Sequence, residues 1–320
     1  MGTRTAFVLL LAAATSVAAQ QPTMIGYSPA SAAKERELEA SAIKRPSPTT
    51  AATHSKQLSR ETHVAGTPAQ ARTRDYVIEQ MKKLGIETEA RAYDVWMPHP
   101  VSVRVARVSP QPKELSLAEP PVAGDPTSSL SQYLTVNGYS GEGDATGEVV
   151  YVNYGLIEDY AQLDSLGVSV KGKIAIARYG RSFRGIKARE AEKHGAVALL
   201  IYSDPQDDGY VQGDVYPEGP MRNPNGVQRG SVMNTNGDPS TPGYGSTQGA
   251  RRIAPEQMTI PRIPVVPIGY GNASELLKDV RGTNVPRAWQ GGLPFRYHVG
   301  PGPVRARVTV RDDRATRPLK

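Results

Sequence analysis

Short apolar runs alternate with amphipathic stretches between residues 148 and 202, and this is the clearest pattern in the chain. The runs Glu148–Val152, Lys173–Ala177 and Val197–Tyr202 predict strands, and the stretches Ile157–Leu166 and Phe183–His194 predict helices. A β-α-β-α-β order is typical of a parallel sheet covered by helices. The chain is therefore predicted to have an α/β fold.

The stretch before this unit predicts one helix followed by two strands. Thr67 fits an N-cap, Pro68 fits the first helical position, and Gly85 ends the helix. The apolar stripe of this helix consists of Val77, Ile78, Met81 and Leu84. The alternating segments Ile86–Val95 and Val101–Val108 predict the strands. Residues 60–110 are too few to bury a core of their own.

A long loop, Asp204–Met258, follows the β-α-β-α-β unit and carries most of the glycine and proline. A loop of this length inside a compact unit is usually functional. The chain then returns with a predicted strand at Ile263–Ile268 and a helix at Ala273–Val280. A last alternating strand, Val304–Val310, precedes a charged end.

The N-terminus has the pattern of a secretory signal. Arg4 precedes the apolar run Ala6–Ala14, and the small residues Val17–Ala19 follow. Residues 1–19 are therefore predicted to be a signal peptide, cleaved after Ala19, and the mature protein to be secreted or periplasmic. After cleavage no apolar run reaches the ~18 residues that a membrane span needs.

Residues 20–59 are predicted to be a linker with one short helix, Ala32–Ile43. Pro46 and Pro48 are expected to end that helix, and Ser47–Thr53 is expected to be irregular.

Composition excludes several classes of function. The 320 residues include 38 Lys and Arg against 31 Asp and Glu, and the net charge of +7 is scattered rather than clustered. A nucleic-acid-binding protein would gather its basic residues on one face, so no nucleic-acid partner is expected. The chain has no Cys, which excludes disulfides, thiolate nucleophiles and cysteine-ligated metal sites.

A complete hydrolytic centre is not visible in the sequence. None of the five His pairs with another at helix-face spacing, and no His-Glu-x-x-His or Gly-x-Ser-x-Gly motif occurs.

The most informative single residue is Arg184, one of the basic residues spaced by three from Arg178 to Lys187. It lies in the first turn of a predicted helix, where a cation opposes the helix dipole. An anion docked at the free N–H groups of that helix would offset the cost, and Arg184 could hold a carboxylate through two hydrogen bonds. The alternative, equally compatible with the pattern, is that Arg184 pairs with an Asp or Glu of the long loop.

The segment Thr241–Tyr244 has a turn signature. Turn carbonyls suit hard cations, but a calcium site also needs carboxylates, and Asp238 alone lies nearby. On chemistry alone a plain turn is therefore expected.

A series of short motifs in a fixed order carries a family resemblance. They are His63–Thr67, Tyr93–Val95, Val150–Tyr154, Gly172–Gly180, Phe183–Gly185, Tyr202–Pro205, Tyr216–Gly219, Gly226–Gly230, Gly237–Tyr244, Ile263–Val265, Pro267–Tyr270 and Val299–Gly302. Between about residues 60 and 310 the chain resembles the first half of glutamate carboxypeptidase II and its relatives. That family of zinc peptidases includes folate hydrolase and the non-catalytic transferrin receptor.

The resemblance implies a protease-associated domain, β-rich with flanking helices, inserted into an incomplete α/β zinc-exopeptidase domain. Residues 60–117 would open the peptidase domain, residues 118–292 would form the protease-associated domain, and residues 293–320 would begin the return to the peptidase domain. The paired-zinc ligands, the catalytic Glu and the helical dimerisation domain of the family come later in its sequence. Zinc would therefore belong to a longer parent protein, and a homodimer would need the later domain. A fragment, a split protein and a truncated gene all fit this pattern.

The resemblance also assigns residue roles by position. Arg184 corresponds to the family arginine that binds the carboxylate of the C-terminal residue being released. Thr241 and Tyr244 correspond to residues that supply backbone oxygens to calcium. Ser231 stands where the glutamate-selective enzyme has an Asn that helps to hold the same carboxylate, and this departure weakens the expectation of glutamate preference.

The leading hypothesis is the substrate-gating N-terminal portion of a secreted zinc-dependent carboxypeptidase or exopeptidase. Its substrate would be a peptide or acyl-amino acid with a terminal carboxylate, attacked in the parent by zinc-bound hydroxide. Without zinc ligands the chain alone is expected to be inactive. The alternatives are a non-catalytic, receptor-like binding module and a decayed fragment with exposed strand edges.

Overall fold

The computed structural model describes residues 24–129 and 132–320, and the chain divides into two units, Met1–Ser59 and Arg60–Lys320. The predicted signal peptide, residues 1–19, lies outside the described residues. The described part of the first unit consists of helices α1 (Pro29–Ile43) and α2 (Pro48–Leu58). None of the helices in the described ranges is both long and apolar enough to cross a membrane.

The prediction of an irregular segment at Ser47–Thr53 was wrong, because helix α2 begins there. The Ser47 hydroxyl caps the helix by accepting a hydrogen bond from the Thr50 N–H at 3.3 Å. Pro48 occupies the first helical position, where its fixed φ favours the helix and its missing N–H costs nothing. Pro48 thus starts a second helix as well as following the end of the first.

The second unit is built on one mixed sheet of seven strands with the order β2-β1-β7-β3-β4-β5-β6. The strands are β1 (Tyr93–Ser109), β2 (Lys113–Leu115), β3 (Gly143–Tyr151), β4 (Ile174–Arg178), β5 (Ala198–Tyr202), β6 (Val265–Ile268) and β7 (Arg305–Leu319). The helices are α3 (Pro68–Lys83), α4 (Ile157–Ser165), α5 (Arg184–Lys193), α6 (Pro205–Asp208) and α7 (Tyr270–Leu277). Short 3₁₀ turns occur at Pro126–Ser129, Pro255–Gln257 and Arg287–Trp289.

The parallel half of the sheet confirms the β-α-β-α-β prediction and with it the α/β class. Strands β3, β4, β5 and β6 pair in parallel, in chain order. Every residue of β4 and β5 is buried, as their uninterrupted apolar runs require for strands covered on both faces. The core fills with aliphatic residues of these strands and with the small residues Ala188 and Ala191 of α5.

The antiparallel half departs from the sequence prediction. One strand, β1, spans Tyr93–Ser109, and its partner β7 runs to Leu319 instead of ending at Val310. A break in register between Pro100 and Ser102 lets β1 continue past its prolines. Residues 86–92, predicted to be part of a strand, pair with no strand of the described chain, and Ile86 is exposed.

The charged end of the chain continues strand β7 because its backbone pairs with β1, and two of its arginines have acidic partners. On β7, Arg317 bonds to Asp313 at 2.6 Å, and Arg314 bonds to Glu142 at 3.1 Å. The polar side chains therefore point to partners while the backbone pairs with β1. Backbone pairing between distant segments, rather than local alternation, decides the length of both strands.

Helix α3 begins as predicted, with Thr67 accepting a hydrogen bond from the Gln70 N–H at 3.3 Å. Its predicted apolar stripe, however, is poorly covered, since Leu84 is 76 % exposed and Val77 41 % exposed. No residue of α3 is buried. The helix therefore owes its presence to its cap and its local sequence more than to burial.

A buried carboxylate, Asp238, fastens the long loop to β1. It accepts hydrogen bonds from the Trp96 N–H at 2.9 Å, from Ser240 and Ser246, and from Arg252 at 2.9 Å. Burial opposes ionisation of this carboxyl group, but the bonds from Trp96 and Ser240 outweigh that effect and hold the pKa of Asp238 below its usual value.

We expect Asp238→Asn to lower the free energy of unfolding at pH 7 by about 2 kcal/mol, because the amide cannot accept every one of these bonds. A lowered carboxyl pKa stabilises the fold above the usual value of 3.8, and the contribution disappears as pH falls through the lowered pKa. Urea unfolding at pH 7, 5 and 3, and at lower pH, should therefore show the gap between wild type and variant closing in acid.

The matched control is Asp164→Asn, at an exposed carboxylate of α4, which should change little at any pH. A gap for Asp238→Asn that is independent of pH would show that the charge of Asp238 does not stabilise the loop.

Candidate functional site

Arg184 occupies the first position of α5, immediately after β4 and the turn that follows it. Phe183 stands at the N-cap and provides no side-chain hydrogen bond. The N-cap side chain therefore satisfies none of the first N–H groups of α5, and these groups carry the positive end of the helix dipole. Both features favour an anion at this end of α5.

The Arg184 side chain is packed between aromatic rings and backbone. Its guanidinium carbon lies 5.8 Å from the centre of the Tyr179 ring and 5.7 Å from that of Phe183. A Cβ atom placed on Gly230 would lie only 2.5 Å from the same carbon, so the guanidinium rests directly on the Gly230 backbone. Only a glycine leaves room for it in this position.

Arg184 has no carboxylate within ion-pair distance in the part of the chain that the structure describes. Its Nε atom is buried without a hydrogen-bond partner. The alternative in which Arg184 pairs with an acid of the long loop is therefore not the arrangement seen in the described residues. A cation held on aromatic faces and backbone remains available to an external anion.

Residues 230–234, here called the strap, cross the first turn of α5. Backbone bonds join Gly230 and Val232 to Gly138, at 3.0 and 2.9 Å. The Asn234 side-chain amide donates to the Gly185 carbonyl at 2.9 Å. Because the strap is bonded to both neighbours, Gly230 is fixed against the Arg184 side chain.

Ser231, the other residue expected at this site, follows Gly230 in the strap. Its hydroxyl accepts a hydrogen bond from the Met233 N–H at 3.1 Å. The structure therefore brings Arg184 and the Ser231 segment together, although the serine hydroxyl is engaged within its own loop. No contact between Gly230 and Arg184 was predicted from the sequence. The only signal of Gly230 was its place in the Gly226–Gly230 motif.

The remaining members of the basic run do not line the surface. Arg178 is buried, donates to the Asn153 side chain at 2.6 Å and lies 4.1 Å above the Tyr154 ring. Lys187 is completely buried. Of the run, Arg181 and Arg184 are the two with solvent-accessible side chains.

The Thr241–Tyr244 turn forms as expected, with the Tyr244 N–H donating to the Thr241 carbonyl at 3.3 Å. The Thr241 hydroxyl in turn donates to the Tyr244 carbonyl at 3.2 Å. Thr241 is buried and Tyr244 is half exposed. Asp238, the nearby carboxylate, already accepts bonds from four residues and offers little capacity for a cation.

The described residues do not fit a zinc centre. In residues 24–129 and 132–320 no group of three or more His, Asp or Glu side chains is arranged to hold a metal ion. His194, for example, stacks on Tyr160 with ring centres 4.2 Å apart and bonds to the Glu190 carbonyl at 2.8 Å.

Residues 145–276 match the PA domain family. They lie inside the predicted range 118–292 and include most of β3 and all of β4, β5, β6 and α5.

The curated relatives are longer proteins. A glutamate carboxypeptidase 2 homolog of Caenorhabditis elegans is 35 % identical over 260 residues, covering 76 % of this chain and 34 % of the relative. A probable glutamate carboxypeptidase of Arthroderma benhamiae is 36 % identical over 257 residues, covering 75 % of this chain and 35 % of the relative. The aminopeptidase NAALADL1 of Mus musculus is 40 % identical over 168 residues, covering 51 % of this chain and 23 % of the relative.

Among solved structures, an aminopeptidase from Aneurinibacillus sp. strain AM-1 is 21 % identical with a TM-score of 0.39, covering 86 % of this chain and 47 % of that chain. The chain spans about a third of the length of the two glutamate carboxypeptidase relatives. On these sequence relationships, the chain contains a PA domain and belongs to the glutamate carboxypeptidase family.

Proposed function

We propose that this chain is the substrate-gating part of a secreted or periplasmic zinc-dependent exopeptidase of the glutamate carboxypeptidase type. The observation that carries the proposal is the Arg184 guanidinium, held at the uncapped start of α5 with no carboxylate partner in the described chain. The parent enzyme would hydrolyse peptide or acyl-amino-acid bonds, and this part would hold the terminal carboxylate of the substrate.

The contacts of Arg184 explain how it would bind a carboxylate. A guanidinium group can donate two parallel hydrogen bonds to one carboxylate, and Arg184 has no ion-pair partner among the described residues to release first. The nearby rings of Tyr179 and Phe183 reduce hydration of the ion pair. The free N–H groups of α5 add a second source of positive potential. Ser231, beside Gly230, is the position we assign to discrimination among the released residues.

Metal ions enter this proposal only through residues outside the described ranges. No zinc cluster occurs in the described residues, and the proposal places zinc in a longer parent protein and assigns no catalytic step to this chain. Calcium could take the carbonyl oxygens of Thr241 and Tyr244 only together with carboxylates from elsewhere in the parent. A homodimer would likewise depend on a further domain.

The second candidate is a binding module without catalysis. It is favoured by the same observation that excludes zinc from the described residues, and it uses the same anion site. The two candidates differ in the parent protein, since only the peptidase requires zinc ligands beyond the residues described. Sequence from the parent gene that encodes those ligands would decide for the peptidase.

We expect Arg184→Ala to weaken binding of a carboxylate-terminated peptide at least tenfold. The variant loses a charge-assisted hydrogen-bonding pair, which contributes about 1.5–3 kcal/mol. The measurement is an NMR titration with N-acetyl-alanyl-glutamate and, in parallel, with the same peptide carrying a C-terminal amide. Wild type should prefer the acid, and Arg184→Ala should bind both equally.

The matched control is Arg251→Ala, which removes an exposed arginine of the long loop and should leave the preference unchanged. If Arg184→Ala keeps the wild-type preference for the acid, Arg184 does not hold the carboxylate.

We expect Gly230→Ala to produce the same loss of affinity with little loss of stability. The added methyl group meets the guanidinium, the mobile end of a long side chain, so Arg184 moves aside while the backbone stays in place. Chemical denaturation should shift by less than about 1 kcal/mol, whereas the acid-to-amide preference should vanish. A variant that unfolds more easily but binds normally would contradict this account of the site.

We expect the purified 320-residue chain to show no hydrolysis of acyl-amino acids or peptides when zinc is supplied, because the described residues provide no zinc centre. Product formation is followed by chromatography with and without added zinc. Zinc-dependent turnover at an enzyme-like rate would overturn the proposal that catalysis needs residues beyond this chain.

A further inference from the structure

Lys187 is a buried cation without a carboxylate partner. Its side chain is completely inaccessible to solvent, and no Asp or Glu of the described residues lies within ion-pair distance of its ammonium group. The group instead donates to two backbone carbonyls, that of Tyr154 at 2.6 Å and that of Gly180 at 2.7 Å. Burying an ammonium group is costly, and an apolar side chain in its place could donate to neither carbonyl.

One of the two acceptors belongs to an unusual turn. Residues 179–183, here called the entry turn, connect β4 to α5, and two successive residues have positive φ angles. These are Gly180 at +103° and Arg181 at +65°. A left-handed conformation at a non-glycine residue such as Arg181 is disfavoured and persists only where the surroundings hold it.

The ammonium group of Lys187 supplies part of that support. Lys187 lies three residues after Arg184 on α5, and its side chain reaches back to the carbonyl of Gly180, before the helix begins. Its second bond, to Tyr154, joins the same point to the loop after β3. The helix, the entry turn and the β3–α4 loop are therefore tied together at one atom.

We propose that Lys187 is a positioning residue, which fixes the entry turn and thereby the orientation of Arg184 toward an incoming carboxylate. The proposal rests on the proposed function of Arg184 as the carboxylate grip. It assigns to Lys187 a role through hydrogen bonds and none through direct contact with the ligand.

A role through charge makes a different prediction. Several charged or titratable groups face Lys187 from the neighbouring elements: Tyr154, Asp159, Arg178 and Asp207. Burial is the main cause that lowers the pKa of Lys187 to about 8. A neutral amine keeps two N–H donors, enough for both carbonyls, so positioning survives deprotonation while direct attraction of an anion does not.

The test compares Lys187→Met with Lys193→Met, which removes an exposed lysine from the same helix. Hydrogen exchange of the Ile186 amide, which donates to the Phe183 carbonyl of the entry turn at 3.0 Å, and titration with the acid and amide peptides are measured on each protein. We expect Lys187→Met to lower the protection of this amide at least tenfold and to weaken acid binding at least tenfold. Protection in β4 and β5 should change far less, and Lys193→Met should match wild type.

A second measurement needs no variant. In wild type, the protection factor of the Ile186 amide and the acid-to-amide preference should stay constant between pH 7 and pH 9. A tenfold fall in acid binding through pH 8 would overturn the positioning role and assign a direct electrostatic one. This pH series tests the positioning role even if Lys187→Met fails to fold.

The outcomes separate this inference from the proposed function. Normal protection of the entry turn in a folded Lys187→Met variant overturns the inference, whatever the binding result. Lost protection together with an absence of acid preference in wild type leaves Lys187 as the support of the turn but removes Arg184 as a carboxylate grip, and so overturns both the proposed function and the part of the inference that depends on it.

Discussion

Complete burial of β4 is the constraint on which the rest of this structure depends. Because every residue of β4 is buried, both faces of this strand are covered by other parts of the chain. The turn after Arg178 therefore opens at the carboxyl edge of the parallel strands, and α5 must start there to return along the sheet. Arg184 therefore lies at this edge because α5, which packs on the buried sheet, starts there.

Local signals were enough to predict the elements that depend on local chemistry. The apolar runs of β4 and β5 and the Thr67 cap of α3 were all visible in the sequence and were confirmed. Sequence signals that fit two different structures led to wrong predictions. Pro48 fits the end of one helix as well as the start of the next, and the strand β7 extends beyond its apolar part because β1 pairs with it over most of its length.

The site was only partly visible for a related reason. The position of Arg184 at a helix start is a local property, and the sequence revealed it. Its contact with Gly230 joins residues 46 positions apart, and neither hydrophobic spacing nor charge encodes such a contact. The same holds for Lys187, which belongs by its spacing to the basic run that begins at Arg178 but is buried by the packing of α5 on the sheet.

The hydrogen-bond partners of the two buried cations, Arg178 and Lys187, bear on the charge that remains at Arg184. Arg178 and Lys187 share the face of Tyr154 and bond mainly to an amide oxygen and to backbone carbonyls. A carboxylate placed beside Lys187 would satisfy the charge more strongly, but it would also lie one helical turn from Arg184 and would compete for its guanidinium. Lys187 has only neutral acceptors among the described residues, and the carboxylate that pairs with Arg178 is that of Asp207, at 3.5 Å. Because no carboxylate of the described residues forms an ion pair with Lys187 or Arg184, Arg184 keeps the unpaired charge that the proposed function requires.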